Sequence, residues 1–377
     1  MRKYLKIIAI FIISLSAIYS GFWLFNKNRI KVFAESLVQN AIKRIGGEDS
    51  EFYYSQTLVT GFPFSYKVTI SNPQFAFRDV GIFFDVASQG DLVLSSDVAA
   101  TNFYIKLPKL FYIKNRYAEE GKEPVVVNYS SAPELKIKSF PQNTKLFATN
   151  IIKGSFDLIP IGIEKLSYRD SGFSIYNSGV NSAIIASSHG MAVNFDNNLE
   201  SDGNSVLAEA SIKDLDIDSI ISKMYGGRGV GRINLSTNMH FTEGEDYKYS
   251  LDLSKFTLGS DLFNISADAQ IKKKPDVSLP QGGVNIKISN YAELVDFQVG
   301  IMNFLVGNYS MPIGEIKSDQ VERIKGFLFE IAAEKTNNNK DILITVVRKQ
   351  DEEAQVGGVS LGEVIGIFKR SFEENPS

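Results

Sequence analysis

Cysteine is absent from the 377 residues. Disulfides, thiolate metal sites and cysteine nucleophiles go with it. Histidine is nearly absent: only His189 and His240 occur, far apart and without carboxylates at ligand spacing, so no metal site is expected. A charge surplus is also missing. Lys and Arg number 40 against 43 Asp and Glu, a net charge of -3, whereas a general nucleic-acid binder carries a basic excess on one face. No nucleic-acid partner is expected.

The motifs of common chemistries are missing as well. No G-x-S-x-G occurs. The run "GGRGVG" (Gly226 to Gly231) misses both the dinucleotide and the P-loop patterns, and reads as a helix stop before a strand. Asp214, Asp216 and Asp218 begin like a calcium loop, but Ser219 stands where glycine is required and Tyr225 where glutamate is. No catalytic residue and no cofactor is expected, and the chain does not read as an enzyme. Low-complexity segments, strict repeats and a marked interdomain linker are likewise lacking.

What is present begins with a long apolar run. Ile7 to Phe25, "IIAIFIISLSAIYSGFWLF", carries no charge. Nineteen residues at about 1.5 Å each span roughly 28 Å, the hydrocarbon thickness of a bilayer. Arg2, Lys3 and Lys6 precede it, Lys27, Arg29 and Lys31 follow it, and Tyr19 and Trp23 lie near its end. A cleaved signal peptide shares the basic start and apolar run. Bulky Phe22-Trp23-Leu24-Phe25 and the want of a small-x-small site favour an uncleaved anchor. The expected order is a cytoplasmic tail (1–6), a transmembrane helix (7–25), an amphipathic helix (26–47) and an extracytoplasmic β-rich domain (48–377), in one lobe or two. The amphipathic pattern runs from Asn28 to Gly46 through Ile30, Phe33, Leu37, Val38, Ala41, Ile42 and Ile45, and packing on the domain is its simplest use.

The body alternates apolar and polar residues. Phe64, Tyr66, Val68 and Ile70 share one strand face, and Asn72-Pro73 turns the chain. Phe75 with Phe77, then Ile82, Phe84 and Val86, then Phe103, Ile105 and Leu107 repeat the period. The clearest block is a meander over Ile233–Phe241, Tyr247–Leu253, Phe263–Ile271 and Val284–Ile288, its turns marked by "TEGED", "LGSD" and "KKKPD". Helical patterns start near Asp214, Asn290 and Ser318; a strand, "DILITVV", starts at Asp341, and Leu361 to Phe368 is apolar enough to dock. The expected fold is mainly β: an elongated antiparallel sheet, curved or a sandwich, with a few short helices behind one transmembrane helix. One-sided strands outnumber the helices available to cover them. The apolar rows Phe64, Tyr66, Val68, Ile70 and Ile233, Leu235, Phe263, Ile265 are therefore the candidate groove. In the segment Gly61-Phe62-Pro63-Phe64, glycine permits a positive φ or a close backbone approach, Pro63 suits a strand start, and Phe62 and Phe64 share a face. That segment reads as structural, setting the register of the sheet.

Following an anchor and an amphipathic helix, "GFPFSYKVTISNPQF" resembles domain-of-unknown-function family 2125, envelope proteins of alphaproteobacteria. Gly61, Phe62, Pro63, Phe64 and Pro73 match its Gly-Phe-Pro-Phe segment and second proline turn. "ISADAQIKKKPDVSLPQGGVNIKISNYAELV" (Ile265 to Val295) and "GGVSLGEV" (Gly357 to Val364) are similar to its closing strands and glycine-rich turn; the stretch from about Lys114 to Ser205 matches little. The later block more loosely resembles the AsmA-like periplasmic proteins. These resemblances imply a single-pass protein of the bacterial inner membrane with its body in the periplasm; they transfer no site residues. Two functions fit: handling lipid or assisting envelope assembly along an apolar sheet, with phospholipid as partner; or tethering another envelope protein, with the sheets closed by packing. A hydrolase is a distant third.

Overall fold

The computed structural model describes residues 2–61, 65–79, 82–97, 101–115, 123–139, 163–178, 184–200, 203–217, 222, 227–243, 247–275, 277, 279–309, 316–349 and 352–372. It is mainly β, with antiparallel sheets of seven and sixteen strands and, among the described residues, four helices longer than a turn. The chain divides into two compact units, Met1–Ser171 with Tyr176–Ser182, and Gly172–Ile175 with Ala183–Ser377.

The first unit opens with one continuous helix, α1 (Arg2–Gly46), through both segments expected to be separate. Much of the expected span Ile7–Phe25 lies outside the residues whose side chains are described. Among the described residues, no helix is long and apolar enough to cross a membrane. The strands that follow are β1 (Glu51–Tyr53), β2 (Gln56–Thr60), β3 (Ser65–Ser71), β4 (Gln74–Asp79), β5 (Ile82–Gln89), β6 (Asp91–Asp97), β7 (Asn102–Lys106), β8 (Leu110–Asn115), β9 (Val125–Tyr129), β10 (Glu134–Ser139) and β11 (Ile163–Arg169). They alternate between sheets: β2-β3-β6-β7-β10-β11 are successive neighbours in one, and β1-β4-β5-β8-β9 in the other. The Asn72-Pro73 turn carries the chain from β3 in the larger sheet to β4 in the smaller one. Asn72 takes a left-handed φ of 48°, and its N–H bonds the Gly90 carbonyl at 3.2 Å in the returning turn.

One stripe of α1 packs on both sheets. Ile30, Ala34, Val38 and Ile42, four residues apart, are buried with Val59, Val68, Ile70 and Leu92, while Phe52, Phe75 and Phe77 pack alongside. The helix ends at Gly46, with Gly47 at φ 88°. Buried Ser50 then locks it to the sheet: its hydroxyl donates to the Gly46 carbonyl and accepts from the Arg78 N–H at 3.0 Å.

The strand β12 (Phe173–Asn177) is divided between the units. The second unit holds β13 (Ile184–Ser188), β14 (Gly190–Glu200), β15 (Gly203–Leu215), β16 (Ile233–Thr242), β17 (Tyr249–Gly259), β18 (Asn264–Lys273) and β19 (Gln281–Ser289). Helices α2 (Tyr291–Tyr309) and α3 (Ser318–Glu330), strands β20 (Glu334–Thr336), β21 (Asp341–Arg348), β22 (Gln355–Val356) and β23 (Val359–Ser360), and helix α4 (Leu361–Phe372) complete it. From β14 to β19 every strand pairs with the next, and β19 pairs with β21. Helices α2 to α4 bury one corner of this sheet around Phe263, Ile288, Ile342 and Ile344, where Leu294, Ile331, Val364 and Ile367 meet them. Of the helix expected near Asp214, only residue 222 is described as helical; residues 218–221 and 223–226 lie outside the described residues.

Candidate functional site

In the first unit, register assembles an apolar floor. Val68 on β3 faces Leu94 on β6, which faces Ile105 on β7; Phe103 on β7 faces Ile137 on β10. Six strands at about 4.8 Å span roughly 24 Å, while one helix with its side chains covers about 10 Å. Helix α1 therefore seals only part of the floor. It closes tightly where Val38 and Ile42 meet Val59 and Ile70. Toward Ala34, the smallest residue of the stripe, it leaves a half-open cavity of about 320 Å³. Ile30, Phe33, Ala34 and Leu37 line it from the helix; Tyr66, Val68, Leu94, Phe103, Ile105, Ile137 and Ile163 line it from the sheet, with Ser95, Ser96 and Tyr104 beside them. The volume is at the lower end of the roughly 300–1,000 Å³ of small-molecule sites.

The second unit carries a broader surface. Across β14 to β18, one face presents Val193 and Phe195, then Ala208 and Ala210, then Leu235, Met239 and Phe241, then Leu251, Leu253, Phe256 and Leu258, then Ile265, Ala269 and Ile271. Two bulges keep it continuous. At Ser254-Lys255 two residues oppose Asp268 alone, so Leu253 and Phe256 stay on one face although three apart. Lys213-Asp214 does the same for Ile212 and Leu215, and Asp214 takes a φ of 45°. Of the residues named on this face only Ala269 is buried; most of the others are half-buried, and Met239 is 36% exposed. A sheet face closed by ordinary packing would bury its central side chains.

The residues expected to form a groove separate into three groups. Tyr66 and Val68 line the cavity. Ile233, Leu235 and Ile265 lie half-buried on the second unit's apolar face, Ile233 opposite Leu215. Ile70, with no exposure, and Phe263, at 4%, belong to closed cores: α1 covers the first, and Phe297 packs on the second at 5.5 Å between ring centroids. Those two are corrections, for each sits where a helix seals the sheet. Phe62, Pro63 and Phe64 lie outside the described residues; Gly61 has φ 104°. Sequence reasoning did not assign Leu94, Phe103, Ile105, Ile137, Phe33 and Leu37 to a site. The alternation of Phe103 and Ile105 and the helical spacing of Phe33 and Leu37 were visible, but the cavity needs the register of five strands and a helix.

Polar groups gather in small sets. His189 Nδ1 lies 3.0 Å from Asp214 Oδ2, and His240 Nε2 lies 2.7 Å from Ser205 Oγ; both pairs are exposed strand-surface contacts. The hydrogen bond from His189 holds Asp214 below the ordinary carboxylate range. Tyr104 is pushed up to about 12 by burial, and then by its hydrogen bond to the Glu134 carboxylate and that group's charge. No cluster of three or more metal-ligating side chains occurs among the described residues. A scan of protein-family models finds no match to the chain, and a search of curated proteins finds none.

Proposed function

We propose that the chain is a membrane-anchored, non-enzymatic protein of the bacterial cell envelope that shelters lipid acyl chains on apolar β-sheet surfaces. The observation that carries this reading is the second unit's wide apolar face, on which Ala269 alone among the residues named is buried. Each methylene laid against such a surface contributes about 0.8 kcal/mol. The cavity beside α1 offers a second, smaller shelter of the same chemistry. The anchor rests on the uncharged run from Ile7 to Phe25, and the periplasmic placement rests on the resemblance to envelope families.

The test is paired. Met239→Glu on the open face is expected to leave the circular dichroism spectrum unchanged while phospholipid co-purifying with the full chain, measured by mass spectrometry, falls several-fold. Ile342→Glu, in the helix-clad corner at 1% exposure, is the contrast, expected to unfold the second unit because a buried unpaired charge costs several kcal/mol. A wild-type chain carrying no phospholipid, or a Met239→Glu chain carrying as much as wild type, would move the reading to the tethering module.

A further inference from the structure

Opposite the cavity, the same first-unit sheet has a polar face. Period-two alternation puts Lys67 of β3, Tyr104 and Lys106 of β7, Lys136 and Lys138 of β10, and Lys165 of β11 on that face, together with Glu134, which stands between Lys106 and Arg169. A groove of about 620 Å³ runs across it, lined by Lys67, Lys136, Lys138 and Lys165 together with serine hydroxyls and Asn102. Among the described residues, Asp97 is the one carboxylate in its lining. That carboxylate is engaged in closing the β6–β7 turn: it accepts the Thr101 N–H at 2.8 Å, the Thr101 hydroxyl at 2.5 Å and the Asn102 amide at 2.7 Å. An adjoining groove of about 590 Å³ shares Lys67 and Tyr104 and adds Lys106, Lys109 and Asp91.

Two features set this apart from a solvated charged face. First, Lys138 and Lys165 are direct cross-strand partners, an arrangement that works against sheet stability. Glu164 pairs with Lys138. Second, four lysines line one groove of a chain whose overall charge is -3. Polar side chains between the lysines supply hydrogen-bonding positions, and Lys136 lies over the Tyr104 ring at 5.8 Å.

We propose that this groove binds a phosphate-bearing anion with two or more charges, the chemistry shared by an anionic lipid head group and a free phosphate ester. Several ammonium groups meeting one multivalent phosphate recover, on binding, the electrostatic cost of being held together. The proposal concerns the sheet face away from the apolar cavity, and it stands whether or not acyl chains occupy that cavity.

The experiment is calorimetric titration of the full chain in neutral detergent. The probes are inorganic pyrophosphate, dihexanoyl phosphatidic acid below its micelle concentration, and dihexanoyl phosphatidylcholine as the net-neutral control. One or both anionic probes are expected to bind and the control is not, with affinity falling steeply between about 50 mM and about 500 mM salt. Pyrophosphate binding as well as the lipid assigns the site to phosphate chemistry in general; the lipid alone assigns it to a head group. The double variant Lys138→Gln, Lys165→Gln is expected to weaken binding at least tenfold while keeping the wild-type circular dichroism spectrum. Lys67→Gln with Lys136→Gln gives an independent second pair. Binding of neither anion, a salt-independent affinity, or wild-type affinity in a folded double variant would each overturn the proposal. Because the variants leave the open face of the second unit untouched, co-purified phospholipid reports separately on acyl-chain shelter.

Discussion

Single residues in this protein hold the backbone where side chains are not tolerated. Gly61 is one: at φ 104°, a Cβ would lie 2.7 Å from the Ser65 carbonyl oxygen, whose own N–H closes the loop onto the Gly61 carbonyl at 3.0 Å. Gly61→Val is expected to destabilise the first unit by about 1 kcal/mol or more, because both the left-handed backbone and the close approach disfavour a β-branched side chain. Thermal melting checks this; an unchanged curve would mean the loop relaxes without cost. The conformational use of Gly61 was legible from its place before Phe62-Pro63, and the Asn72-Pro73 turn was legible for the same reason. The run Asn337-Asn338-Asn339 was not read as a turn, although all three residues adopt φ between 53° and 65° in the tip joining β20 to β21. Asparagine tolerates that region, and three in a row suffice without glycine.

Elements show where pattern alone runs out. The period of two located β16 to β19, since Leu235, Leu251, Ile265 and Ile286 alternate with polar residues. It did not locate β14 and β15, long strands of 11 and 13 residues. Their inward positions include Ala208, Ala210 and Asn197, residues of low strand propensity whose placement is decided by the neighbours Phe195, Met239 and Phe241. The spacing of α1 was legible, but its buried stripe runs through Ala34, and Ala41, expected on the apolar face, is exposed. The same helix makes a testable contrast. Ile42→Ala, at the sealed end, is expected to cost about 2–4 kcal/mol, as a large-to-small change in a closed core does. Phe33→Ala, at the cavity, removes more atoms yet should cost less, because its side chain already borders open space. Denaturant unfolding of the two variants checks the order; the reverse order would mean the cavity is filled and packed in solution.

At the scale of the whole molecule, the anchoring that the first fifty residues suggest has a direct test. Reporter fusions placed after Gly47, where α1 has ended, are expected to be active only outside the cytoplasm. Activity confined to the cytoplasm would reverse the orientation, and a mature N-terminus beyond Gly21 would replace the anchor by a cleaved signal. The two-unit division and the sheet-switching of β2 to β11 were not legible, because both depend on which strands pair at a distance and not on local alternation.

The unbroken next-neighbour pairing from β14 to β19 has a consequence for how such a surface changes over evolutionary time. An array in which each member touches only the members beside it is quasi-one-dimensional, and its stability is close to a sum of nearest-neighbour interfaces. A duplicated hairpin inserted into the run would widen the apolar face by about 10 Å and disturb no distant contact. A deleted hairpin would narrow it by the same step. The helix-clad corner would remain as it is, acting as the fixed cap from which a track of variable width is laid out.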